Sequence, residues 1–108
     1  MVADAVLKRY TGVIGQMAAI SRIRVLYSGN VQGVGFRATA RSVAKRIPVQ
    51  GFVKNLPDGS VEMVAEGDAG SLDRLLEGIR KEMTGFIQDE TIERGEATKE
   101  FRDFTVRF

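Results

Sequence analysis

The chain has 108 residues, a length that predicts one domain built around a single hydrophobic core. It contains no Cys and no His, which excludes thiol nucleophiles, disulfides, histidine acid–base chemistry and Cys/His metal sites. The net charge of +2 conceals an asymmetry, because residues 1–50 hold eight Lys and Arg against the single acid Asp4, whereas residues 51–108 hold eight against thirteen acids. The positive half of the chain predicts attraction of an anion.

The first twenty residues match no membrane or targeting segment. The uncharged stretch over residues 10–20 has eleven residues and contains two glycines and a glutamine, so it is too short and too polar to cross a membrane. Asp4 and the interrupted apolar stretch do not match a signal peptide either. We therefore expect a cytoplasmic protein without a membrane partner, with an N-terminal extension over residues 1–20 and one domain over residues 21–108.

A strand and a helix are the first regular elements. Residues 22–27 alternate between polar and apolar side chains, which is typical of a half-buried strand. From residue 36 to residue 47 the apolar period becomes that of one helical face, while Arg37, Arg41 and Lys45 share another face. The proline that follows is expected to end this helix.

The second half predicts a hairpin, a helix and a final strand. Two strand-like runs, residues 49–55 and 60–66, flank the turn sequence Leu56-Pro57-Asp58-Gly59. Asp68 is a plausible N-cap for a second helix that Gly85 would end. The alternating tail, residues 104–108, predicts the last strand, and residues 86–91 predict a short additional strand or an ordered crossover.

The order strand, helix, strand, strand, helix, strand predicts a ferredoxin-like α+β sandwich. In that fold two helices pack on one face of an antiparallel sheet, here of four to five strands. The order alone does not identify a function, because the same fold carries many.

The connection between the first strand and the first helix is rich in glycine. Backbone N–H groups of such a loop, next to a helix N-terminus, form an anion site, and the guanidinium of Arg37 can bind phosphate oxygens bidentately. A cation in the first helical turn opposes the helix dipole, a conflict that a bound anion would remove. The other interpretation is a flexible connector followed by a solvent-facing arginine. The connection, with the first two residues of the helix, spans residues 29–37.

Asn55, at the end of the second strand, also has two interpretations. It could hydrogen-bond the backbone of the neighbouring turn, as asparagines beside turns often do. Alternatively, its neutral amide could orient a water molecule in a chain that has no histidine for that purpose.

Two segments of the chain resemble the acylphosphatase family. The sequence Val31-Gln32-Gly33-Val34-Gly35-Phe36-Arg37 is similar to the substrate-binding loop and catalytic arginine of that family. The sequence Gly51-Phe52-Val53-Lys54-Asn55, followed by Asp58-Gly59-Ser60-Val61-Glu62, is similar to the segment with its catalytic asparagine. The resemblance extends from residue 23 to residue 108, with two departures, Asn30 in place of a frequent basic residue and Ile47-Pro48 in place of a glycine-containing helix exit.

The resemblance implies hydrolysis of the carboxyl–phosphate bond of acyl phosphates to a carboxylate and inorganic phosphate. Asn55 would hold the attacking water in line. The phosphoryl group would be bound by Gln32, Gly33, Val34, Gly35, Phe36 and Arg37. The resemblance implies no metal and no other cofactor, and inorganic phosphate or sulfate would act as a competitive ligand. We expect a monomer.

Two other classes of protein remain as alternatives. An RNA-binding domain shares the strand and helix order, but the third strand, Val61-Glu62-Met63-Val64-Ala65, offers no aromatic residue for stacking bases, so we expect no nucleic-acid partner. The second alternative is a non-catalytic anion-binding or accessory domain of the acylphosphatase type.

Overall fold

Five strands and two helices account for most of residues 20–108, the part of the chain that the computed structural model describes. They are β1 (Ile20–Gly29), α1 (Phe36–Ala44), β2 (Gln50–Asn55), β3 (Val61–Asp68), α2 (Ala69–Glu82), β4 (Ile87–Glu96) and β5 (Phe104–Arg107). The predicted extension lies outside the described residues except for Ile20, which is the first residue of β1. None of the helices described is long and apolar enough to cross a membrane.

The strands form one sheet in the order β4-β1-β3-β2-β5. β1 pairs antiparallel with β3 and β4, and β2 pairs antiparallel with β3. These four strands and the two helices confirm the predicted ferredoxin-like sandwich. The fifth strand departs from the expected antiparallel pairing, because β5 runs parallel to β2. After β4, at one edge of the sheet, the chain crosses to the other edge. There β5 pairs with β2 and runs in the same direction as β2.

The roles of the last two strands are also exchanged relative to the prediction. The fourth strand of the sandwich is β4, ten residues long, and the alternating tail adds β5 at the opposite edge. β4 is an edge strand whose side chains are mostly exposed. Its sequence therefore lacks the apolar alternation from which a full strand would be predicted.

The core lies between one face of the sheet and the two helices. On β1 the side chains of Ile23, Val25 and Tyr27 are buried. α1 ends at Ala44, three residues earlier than predicted, and continues as tighter turns ahead of the proline. The predicted N-cap of α2 is confirmed, because the Asp68 carboxylate accepts a hydrogen bond from the backbone N–H of Ser71. The buried residues that the helices contribute are Phe36, Ala40, Val43, Ala44, Leu72, Leu75, Leu76 and Ile79.

A buried carboxylate on β3 fixes the connection from β4 to β5. The side chain of Glu66 is 3% exposed. It accepts hydrogen bonds from the backbone N–H of Thr98 at 2.7 Å, the Thr98 hydroxyl at 3.0 Å and the backbone N–H of Lys99 at 2.8 Å. Arg22 Nη1 lies 3.3 Å from the same carboxylate. Glu66 therefore holds the segment that leads into β5.

Candidate active site

The loop between β1 and α1 exposes its backbone rather than its side chains. Gly33 and Gly35 have φ angles of 78° and 79°, the left-handed region that glycine adopts without strain. The ring of Phe36 is buried 4.8 Å from that of Tyr27, and Val34 packs against the core. Gly35 is the N-cap of α1, and the first turn contains no acidic residue. The N–H groups at this helix end are therefore not neutralised by a local carboxylate.

The side chain of Gln32 anchors this loop to the β2–β3 turn. Its Nε2 donates to the carbonyl oxygens of Leu56 at 2.7 Å and Ser60 at 2.8 Å. The backbone N–H of Asn30 donates to the Phe86 carbonyl at 2.9 Å, which fixes the start of the loop. Because both amide hydrogens of Gln32 are used in this way, only its backbone remains for the predicted anion contact.

Arg37 is held against β5. Its Nη1 donates to the carbonyl oxygen of Arg107 at 3.1 Å, and its guanidinium carbon lies 4.7 Å from the centre of the Phe108 ring. The guanidinium of Arg107 in turn stacks 3.8 Å from the centre of the Phe52 ring. Arg37 is thus fixed by residues far away in the sequence, a contact that the local pattern could not predict.

The β2–β3 turn is closed without the side chain of Asn55. The Asp58 carboxylate accepts hydrogen bonds from the backbone N–H and the hydroxyl of Ser60, at 2.9 Å and 2.6 Å. The backbone N–H of Leu56 donates to the Ser60 carbonyl at 2.9 Å. Within residues 20–108 the half-buried amide of Asn55 has no hydrogen-bond partner. The geometry therefore gives no support to a turn-stabilising role for this asparagine.

One cleft of about 420 Å³ is lined by residues from both of the resembling segments. Arg37 and Asn55 both line it, together with Gly33 and Gly35. Four further lining residues follow along α1 and its C-terminal end: Ala38, Arg41, Ser42 and Lys45. Val106 and Phe108 line the cleft from the β5 side. The sequence placed Arg41 and Lys45 on the helical face of Arg37, but we did not predict that they belong to the site.

The described residues contain no group of three or more carboxylates close enough to hold a metal ion. The site consists instead of backbone N–H groups, a fixed guanidinium and an amide, which are donors suited to phosphoryl oxygens. The fold and the cleft thus define an α+β sandwich with a basic cleft beside a glycine-rich loop.

Comparison with known proteins identifies the family. The acylphosphatase family model matches residues 23–106, and the chain belongs to the acylphosphatase family. An acylphosphatase of Methylococcus capsulatus is 45% identical over 92 residues, which are 81% of this chain and 96% of that protein. The predicted family and enzyme class are confirmed.

Solved structures agree with this assignment. The crystal structure of acylphosphatase from Bacillus subtilis superimposes with a TM-score of 0.76 and 28% identity, covering 82% of this chain and 99% of that one. HypF from T. kodakarensis contains a similar unit, with a TM-score of 0.71 and 26% identity, but the match covers only 12% of the HypF chain.

Proposed function

We propose that the protein hydrolyses acyl phosphates to a carboxylate and inorganic phosphate, by attack of an oriented water that requires no metal ion. The observation that carries the proposal is the meeting of Arg37 and Asn55 in one cleft beside the glycine-rich loop. In the reaction a water oxygen bonds to phosphorus while the bond between phosphorus and the carboxyl oxygen breaks. The acyl carboxylate leaves with the bonding electron pair.

The phosphoryl group is bound by the loop and by Arg37. Backbone N–H groups around Gly33, Gly35 and the start of α1 face the oxygens, and the guanidinium supplies a planar pair of donors. These donors stabilise the charge on the equatorial oxygens in the transition state. The contact with the Arg107 carbonyl holds the guanidinium in one position before the substrate arrives, so little ordering is required on binding.

Asn55 orients the attacking water. Its amide lines the cleft and is not engaged in the neighbouring turn, so its oxygen can accept a hydrogen bond from water. A strong general base is not required, because a carboxylate is a good leaving group and a phosphate oxygen of the substrate can take the proton. Positioning and electrostatic stabilisation then supply the catalysis.

A non-catalytic anion-binding or accessory role is the alternative, because a similar unit also occurs as 12% of the longer HypF chain. The two functions differ in one observable, because an anion-binding domain would bind phosphate without turnover. We also propose that the protein is cytoplasmic and monomeric, and that inorganic phosphate or sulfate competes with the acyl phosphate for the cleft. Light scattering of the purified protein tests the monomeric state.

Phosphate release from benzoyl phosphate tests the proposal. We expect steady turnover that is unchanged by a chelator, and competitive inhibition by inorganic phosphate and by sulfate. Phosphate binding without turnover would support the non-catalytic role. Loss of activity in the chelator and its recovery with magnesium would contradict the metal-independent mechanism.

A further inference from the structure

The cleft is more basic than the binding of one phosphoryl group requires. Among residues 20–108, its lining contains three cationic side chains, Arg37, Arg41 and Lys45, and no Asp or Glu. Arg37 and the loop N–H groups already supply the donors that a phosphoryl group needs. Arg41 and Lys45 follow at one and two helical turns, about 6 Å and 12 Å along the axis. They therefore extend the positive surface of the cleft along the helix, beyond Arg37.

Arg41 and Lys45 are not used elsewhere in the described part of the protein. Arg22, Arg24 and Arg80 each pair with a carboxylate, whereas no ion pair of Arg41 or Lys45 occurs among residues 20–108. Carboxylates do lie in the two adjoining grooves, Glu82 beside Lys45 and Asp103 beside Arg41, but neither pairs with them. The two cations are exposed and available to a ligand.

The rest of the cleft suits a short carbon skeleton. Val106 and the ring of Phe108 stand on the β5 side, and Ala38 lies between Arg37 and the two outer cations on α1. An acyl group that extends from the bound phosphoryl group along α1 would lie against these apolar surfaces. Its far end would reach Arg41 and Lys45.

We propose that the preferred substrate carries a second anionic group, a carboxylate or a phosphate, at the far end of its acyl chain, and that Arg41 and Lys45 bind it. The inference rests on the proposed acylphosphatase function and extends it to the acyl group. A purely structural explanation exists for Arg41, since a cation in the last turn of α1 is favourable to the helix dipole. That explanation predicts an effect on stability and none on the choice of substrate.

Two synthetic substrates of matched size separate these explanations. 4-Carboxybenzoyl phosphate and 4-methylbenzoyl phosphate differ in one charge, and their rigid rings prevent the carboxylate from attacking its own anhydride. We expect kcat/KM for the carboxylated substrate to be about tenfold higher at low salt, since two exposed ion pairs each contribute a factor of a few. The advantage should decline as salt is raised, because the pairs are solvent-exposed.

The ratio of the two kcat/KM values is the quantity to compare between variants, because any general loss of phosphate steering or stability cancels in it. In Arg41→Gln/Lys45→Gln the ratio should fall to about one. The control, Lys81→Gln/Arg94→Gln, removes the same charge from exposed positions outside the cleft and should keep the wild-type ratio. A wild-type ratio of one, or a high ratio that survives in the cleft variant, would overturn the inference while leaving the proposed function intact. If neither substrate were hydrolysed, the proposed function itself would fail.

Discussion

Arg37 differs from a solvent-facing arginine because β5 restrains both its hydrogen bonding and its stacking. The contacts to the Arg107 carbonyl and the Phe108 ring leave the rest of the guanidinium directed at the cleft. A cation at this point was predicted, because the sequence places an arginine in the first turn of a helix that follows a glycine-rich loop. The sequence could not predict the restraint, which depends on a parallel strand pairing across the sheet.

Replacement of Arg37 tests its role at the scale of a single residue. Arg37→Ala should lower kcat/KM for benzoyl phosphate by about 10³-fold or more, as loss of an arginine does in other phosphoryl transfers. Arg37→Lys should be nearly as poor, because a point charge cannot replace the planar pair of donors. The free energy of unfolding should change by less than about 1 kcal/mol, since one exposed hydrogen bond is lost. Near-normal kcat/KM in Arg37→Ala, measured beside Arg94→Ala as the control, would remove Arg37 from the site.

At the scale of elements, the β4–β5 connection depends on one buried carboxylate. Burial raises the pKa of Glu66, but the backbone N–H groups of Thr98 and Lys99, the Thr98 hydroxyl and the charge of Arg22 outweigh it and hold the pKa below its usual value. These donors require the ionised form. The contribution of Glu66 to stability is thus complete above the pKa of the unfolded chain, about 4.3, and is lost as the pH falls through the lower pKa of the folded protein.

Glu66→Gln should therefore change both the stability and its pH dependence. At neutral pH we expect the free energy of unfolding to fall by about 1–3 kcal/mol, because an amide leaves N–H donors of the connection without an acceptor. The stability of the wild type should decline more steeply below about pH 4 than that of the variant. Denaturant unfolding across the acid range measures this, with the exposed Glu100→Gln as the control. Parallel profiles for the wild type and Glu66→Gln would contradict the account of the connection.

The sequence predicted those elements in which the pattern of apolar and polar side chains reflects which side chains are buried. β1 and the two helices each present a regular apolar face, Asp68 marks the start of α2, and the Leu56–Gly59 turn marks the boundary between β2 and β3. β4 and β5 were exchanged in role because pairing at a sheet edge is set by neighbouring strands rather than by the sequence of the strand itself.

The candidate site, like the fold, was predictable only where the local sequence carries a signal. The loop glycines and Arg37 indicated an anion site from their residue types alone. Asn55 was a candidate for orienting water because the chain has no histidine. The anchoring of Gln32 to the β2–β3 turn and the inclusion of Arg41 and Lys45 in the cleft depend on the tertiary packing of α1. Such contacts have no signature in the sequence.

For the whole molecule, we propose that the fold brings a phosphate-binding loop and a water-orienting amide together from two separate segments. Binding and turnover should then be separable. Arg37 and the loop remain intact when Asn55 is truncated, so affinity for phosphate should persist while hydrolysis is lost.

The most direct test is the steady-state kinetics of Asn55→Ala with benzoyl phosphate, together with the inhibition constant for inorganic phosphate. We predict that kcat falls by about 100-fold or more, with phosphate inhibition within about twofold of wild type, and that Gln88→Ala, an amide lost at an exposed position outside the cleft, changes neither. Normal kcat with a lowered melting temperature would contradict the account, because Asn55 would then be a structural residue and the attacking water would have no partner.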